Sequence, residues 1–189
     1  MNRKMLLGAM IWMIGLGWSY RGAAAPGEEV KVPRFVCNTG YTLERCREDM
    51  NVLRAVLGKY PTAALGEWTW VLVRSEDWKA LLLARHFDPM SPAFTYLPAK
   101  QTFLEGALVL PASTRGVELS AVWHMSVREL LDLAIRHELG HAICNQRNEA
   151  GADLAAALLR GGKPVSCERD FRVENRFDPI KTQLRDLRR

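Results

Sequence analysis

The chain has 189 residues, 48% of them apolar and 25% charged, with a formal net charge of +5. That length allows one globular domain with a substantial core, and the balanced composition excludes a disordered or fibrous chain. Three bases, Arg3, Lys4 and Arg21, precede the mature region, which leaves 23 bases against 21 acids, or +2, so no nucleic-acid partner is expected.

The first residues read as an address. Asn2-Arg3-Lys4 is positive, Met5 to Trp18 is uncharged and mostly apolar, and Gly22-Ala23-Ala24-Ala25 supplies small residues for cleavage. We expect a signal peptide over 1–25, a single domain over 26–189, and a secreted or periplasmic product without stable membrane association. An uncleaved membrane anchor is the alternative, although the apolar run is shorter than the roughly 18 to 20 residues that a span needs. Cys37, Cys46, Cys144 and Cys167 all follow the leader, and an even count in an exported chain favours disulfides. Three pairings are possible, of which the sequence-local one joins Cys37 to Cys46 and Cys144 to Cys167.

Leu43, Met50, Leu53, Val56 and Leu57 recur at helical spacing, predicting a helix from Leu43 to Leu57 that Gly58 and Pro61 end. Trp68 to Val73 is rich in β-branched and aromatic residues and predicts a strand. Ser75 looks like the cap of a second helix reaching about His86. Phe94 to Leu97 and Thr102 to Leu110 predict two strands joined by a turn at Pro98-Ala99-Lys100-Gln101. Ser126-Val127-Arg128-Glu129 fits a capping box and opens a long helix ending near Asn145. Asn148 can cap a further helix from Glu149 to about Arg160, stopped by Gly161-Gly162 and Pro164, and Pro179 to Leu187 is a weaker helical segment. The basic tail Lys181 to Arg189 is read as a solvated helix face. The expected architecture is α+β, a small, mainly antiparallel sheet packed against the long helix and the one after it.

The long helix carries His137-Glu138-Leu139-Gly140-His141. Histidines four apart project from one helix face about one turn, ~6 Å, from each other, so two imidazoles can converge on one ion. Zinc in a hydrolytic site uses three protein ligands and keeps a fourth position for water. Glu138, one position after the first His, is placed to act as general base for that water. Glu149, at the start of the next helix, is the best candidate for the third ligand. Asp153, one turn further along the same face, can accept the outer N–H of a ligand His and so fix its tautomer. Asp153 or another acid is the alternative third ligand. The competing reading of the whole segment is a solvated His and Glu pattern on an ordinary amphipathic helix.

These residues resemble the gluzincin metallopeptidases, in which a His-Glu-x-x-His helix is followed by a Glu-x-x-x-Asp helix. The similarity runs from about Ser126 to Leu159 and is closest to compact single-domain members. It implies one Zn2+ held by His137, His141 and Glu149, with Glu138 as the catalytic carboxylate, Asp153 as its supporting acid, and a peptide or protein substrate. One departure is the spacing: seven residues separate His141 from Glu149, which requires a tight turn over Asn145 to Asn148. The longer metzincin pattern is absent, because position 147 is Arg.

The resemblance further implies that an extended substrate adds to a sheet edge above the metal. Thr102 to Leu110 is the expected edge, with Glu105-Gly106 as a bulge or a plain strand distortion. No residue stands out as oxyanion donor: His124 reads better as an exposed His, Tyr96 as strand packing and His86 as structural, while the tryptophans build the core. Peptide hydrolysis competes with two other functions, a non-catalytic binding or assembly protein that uses zinc to hold two helices, and zinc hydrolysis of another amide bond.

Overall fold

The computed structural model describes residues 33–165 and residue 167. The leader at 1–25 and the helix expected over Pro179 to Leu187 lie outside those residues. Four strands, β1 (Arg34–Cys37), β2 (Thr69–Val73), β3 (Ala93–Tyr96) and β4 (Gln101–Glu105), form one sheet in the order β1-β2-β4-β3. Five α-helices accompany them: α1 (Leu43–Leu57), α2 (Ser75–Ala84), α3 (Thr114–Trp123), α4 (Val127–Cys144) and α5 (Glu149–Arg160). The fold is α+β.

The sheet is mostly parallel, which corrects the expectation of a mainly antiparallel one. β1 pairs with β2 and β2 with β4 in parallel, and β3 alone runs antiparallel, against β4. The cause is the length of the connections. A parallel neighbour needs a crossover of a dozen or more residues, and α1 provides it between β1 and β2, while α2 and β3 together provide it between β2 and β4. Only β3 and β4 are joined by a short link, in which Lys100 adopts a left-handed conformation (φ 52°), and only they form a hairpin.

β2 lies inside the sheet and is covered on both faces. Trp70 and Leu72 enter the main core with Met50 and Leu53 of α1 and Leu130, Ile135 and Leu139 of α4, whereas Val71 and Val73 pack on the other face with Trp78 and Leu82 of α2 and with Phe94. This explains the uninterrupted apolar run Trp70-Val71-Leu72-Val73. Ile135 and Leu139 are fully buried, each contributing about 2 kcal/mol of apolar transfer.

β4 stops at Glu105, and Gly106–Val109 turns into a 3-10 segment, so the strand expected over Thr102 to Leu110 is cut short. At Gly106 an added Cβ would meet the Tyr41 hydroxyl and, at 3.0 Å, the Val73 carbonyl oxygen, so the chain is turned where only glycine fits. β4 is also interior. Among the described residues the sheet edge beside α4 is β3, which corrects the expected substrate edge.

Two disulfides brace the frame. Cys37–Cys46 ties β1 to α1, and Cys144–Cys167 ties the end of α4 to the segment after α5. Among the described residues no helix is long and apolar enough to cross a membrane.

Candidate metal centre

The site is set by two helix starts and one close approach. Ser126 Oγ accepts the Glu129 N–H at 3.3 Å while Glu129 Oε2 accepts the Ser126 N–H at 2.9 Å, a complete capping box that opens α4. α4 ends at Asn145, whose left-handed conformation (φ 45°) turns the chain back, and the Asn148 side chain accepts the Ala150 N–H at 3.0 Å to start α5. The tight turn that the seven-residue spacing requires is therefore made at Asn145.

α5 then lies against α4 with almost no space between backbones. A Cβ on Gly140 would sit 2.7 Å from the Ala152 carbonyl oxygen and 2.8 Å from its Cα. Buried Arg136 locks the pair, donating to the Ala156 carbonyl at 3.0 Å and to Asp132 at 3.0 Å. Small residues at 140 and 152 thus bring the first residue of α5 over the histidines of α4.

His137, His141 and Glu149 converge, their nearest ligand atoms all within 4.8 Å of one another. Glu149 Oε2 is 3.0 Å from His137 Nε2 and 3.6 Å from His141 Nε2, and the two Nε2 atoms are 3.2 Å apart. The far side of each ring is already engaged. His137 Nδ1 faces Asp153 Oδ1 at 2.8 Å, and His141 Nδ1 faces the Gln146 carbonyl oxygen at 2.9 Å. A carbonyl oxygen only accepts, and an ionised carboxylate likewise, so both Nδ1 atoms carry the hydrogen. Both Nε2 atoms of the neutral rings therefore present lone pairs to the same point, beside a carboxylate oxygen.

The three groups together favour positive charge: burial pushes His137 down, but Asp153 and Glu149 outweigh that and raise its pKa to about 10, and His141 is raised by Glu149 against the same burial. The two imidazoles in turn hold the Glu149 carboxyl far below the usual range. Two imidazoles and one carboxylate are also the donor set that suits zinc in a site with an open position.

Glu138 behaves in the opposite way. It is 4% exposed, burial pushes its pKa up, and its Oε2 has no hydrogen-bond partner. Among the described residues the only other such buried side-chain atom is the neutral indole nitrogen of Trp70. Glu138 and the three convergent residues line a cleft of about 560 Å³, whose apolar walls include Phe94, Trp123, Leu130 and Leu133. Glu138 therefore combines a buried, unpartnered carboxyl oxygen with a place in the lining of the same cleft as the convergent residues.

The remaining sequence candidates divide. Tyr96 lines the cleft and lies under the Arg85 guanidinium, 5.2 Å from its ring centre. His124 is the exposed, left-handed last cap of α3, and His86 is the left-handed residue after α2 (φ 60°); neither lines the cleft. Two contributors were missed. The Gln146 carbonyl leaves no trace in sequence, since any residue there offers one. Thr95 also borders the cleft, and its only sequence signal is a hydroxyl inside an aromatic strand. No family model, curated protein or solved structure matches the chain, so the case for this centre rests on its own geometry.

Proposed function

We propose that this chain is a zinc-dependent metallopeptidase of gluzincin type, with His137, His141 and Glu149 holding one Zn2+ and Glu138 acting as general base on a peptide or protein substrate. The observation that carries this reading is the convergence of both Nε2 lone pairs and the Glu149 carboxylate beside a buried, unpartnered Glu138 oxygen. When bound, zinc would supply a Lewis acid that polarises the scissile carbonyl and acidifies water.

The chain's own residues account for the rest. Asp153 and the Gln146 carbonyl hold the two rings in the ligating tautomer. Glu138 takes a proton from the attacking water and passes it to the leaving amine nitrogen. The raised pKa of that carboxyl helps the second transfer, since burial favours the protonated form. The open edge of β3 borders the cleft and offers backbone N–H and C=O groups to an extended peptide, and the apolar walls favour a large apolar side chain.

Two disulfides, together with the leader-like first 25 residues, support action outside the cytoplasm, in a secreted or periplasmic setting. Metal analysis and peptide-library cleavage on the mature protein beside Glu138→Gln test the proposal. One zinc in each, with cleavage by the parent alone, is the expected result. Equal zinc and no cleavage by either protein would turn the reading to a zinc-stabilised binding domain.

A further inference from the structure

We infer that Thr95 is a positioning residue for Glu138, the last member of a hydrogen-bond relay that runs from buried Trp68 and Thr102 and aims a hydroxyl hydrogen at the Glu138 carboxylate. The inference rests on the peptidase reading only for what Glu138 does; the links from Trp68 to Thr102 and from Thr102 to Thr95 are geometry.

Thr95 and Thr102 are directly opposite each other in the β3–β4 hairpin, and their hydroxyl oxygens are 2.8 Å apart. Thr102 is completely buried, and its Oγ1 also receives the Trp68 indole N–H at 3.0 Å. An indole N–H can only donate, so it occupies one lone pair of Thr102 Oγ1. The single hydrogen of the Thr102 hydroxyl then has one acceptor among the described residues, Thr95 Oγ1. With Thr102 donating, neither its hydrogen nor the Trp68 N–H is left unpaired in the core.

Thr95 Oγ1 consequently accepts from Thr102 and keeps its own hydrogen for another partner. The relay assigns that hydrogen to Glu138: both residues line the same cleft, and the Thr95 hydroxyl draws the Glu138 carboxyl down against the upward push of burial. All three hydrogens point along one path, from the core toward the cleft, and each donor is polarised by the one before it. The effect is to hold one side of the carboxylate while Oε2 stays bare. A carboxylate on a flexible two-carbon stem would otherwise be free to turn toward the cationic cluster and leave its working position.

The relay also explains why a polar pair survives in the middle of the hairpin. Replacing Thr95 and Thr102 by valine would suit the fold, but it would strand the Trp68 N–H and free Glu138. β3 is the edge strand, so the hairpin that offers its backbone to a substrate is the same element that holds the base.

Thr95→Val removes the hydroxyl at constant shape, Thr95→Ala removes it without the branched side chain, and Thr95→Ser keeps it. In the mature, zinc-loaded protein, the infrared difference between the parent and Glu138→Gln isolates the Glu138 carboxylate stretch. The relay predicts that this band moves in Thr95→Val and Thr95→Ala and stays in Thr95→Ser, with zinc content unchanged in all three. For peptide cleavage it predicts a fall in kcat of about ten- to a hundredfold, the worth of one hydrogen bond to a charged group, with KM unchanged and Thr95→Ser restoring the rate. A parent that binds zinc but cleaves nothing would remove the peptidase reading and leave the band shift to decide the relay. An unmoved band in both hydroxyl-free variants, an equal loss in Thr95→Ser, or loss of zinc from Thr95→Val would overturn it.

Discussion

Two glutamates are buried among the described residues, and they sit in contrasting surroundings. Glu105, at the end of β4, is fully buried and receives Arg115 through both oxygens, at 2.9 and 3.4 Å, while Arg115 also donates to the Pro89 carbonyl. Glu138, on α4, is nearly as buried, forms no ion pair with an arginine or lysine among the described residues, and leaves Oε2 without a partner. Burial pushes both carboxyls up, in Glu105 against the pull of Arg115. The difference is between a carboxylate whose oxygens hold Arg115 of α3 against β4, and one whose oxygen the proposed reading keeps for an incoming proton. An orphaned buried acceptor costs about 1 to 3 kcal/mol, a penalty that a purely architectural residue would have no reason to carry.

The sharpest break in this comparison comes from Glu138→Gln, which should lower peptide turnover by about 10² to 10⁴ in steady-state kinetics while the zinc content stays at one ion. Arg115→Ala should do the reverse. It leaves the Glu105 charge buried without its partner, so urea denaturation should report a loss of about 3 kcal/mol, with the zinc affinity of the folded fraction unchanged. Asp153→Ala tests the support of a ligand rather than the base: losing the acceptor on His137 Nδ1 should weaken zinc binding by about ten- to a hundredfold in a chelator competition.

The smallest effect concerns a third carboxylate, Asp132, on the same helix as Glu138 but with its oxygens satisfied. Burial alone would raise its pKa, but the Tyr60 hydroxyl at 2.6 Å and the Arg136 guanidinium outweigh it and hold it below the usual value. A depressed folded value means stabilisation that is complete above the unfolded pKa, about 3.9, and lost as pH falls through the lower folded value. Asp132→Asn should therefore be about 1 kcal/mol less stable than the parent at neutral pH, and thermal unfolding should show the gap closing as pH falls below 4.

What could be read in advance follows the range of the interactions. The limits of α1, α4 and α5 were legible because caps are local: Ser126 with Glu129, Asn145 and Asn148 act within a few residues. The phase of His137 and His141 came with the helix. Strand direction was not legible, because β1 is only four residues long and was not read as a strand, which hid the strand-helix-strand order that makes the sheet parallel. α3 was missed as well: Ser113 caps it, yet Val117 is exposed and only Gly116 and Leu119 are buried, so its apolar pattern is thin. Within the site, side-chain ligands show in sequence, whereas the Gln146 carbonyl and the Thr95–Thr102 pairing depend on register and on a turn that only the folded chain defines.

The most direct test of the account is X-ray absorption at the zinc edge on the mature protein and on a Glu149→Ala variant. The account predicts one bound zinc with nitrogen and oxygen donors, two of them imidazoles and no sulfur, and the loss of one oxygen donor in the variant. Sulfur in the shell, fewer than two imidazoles, or a shell unaltered by Glu149→Ala would contradict it.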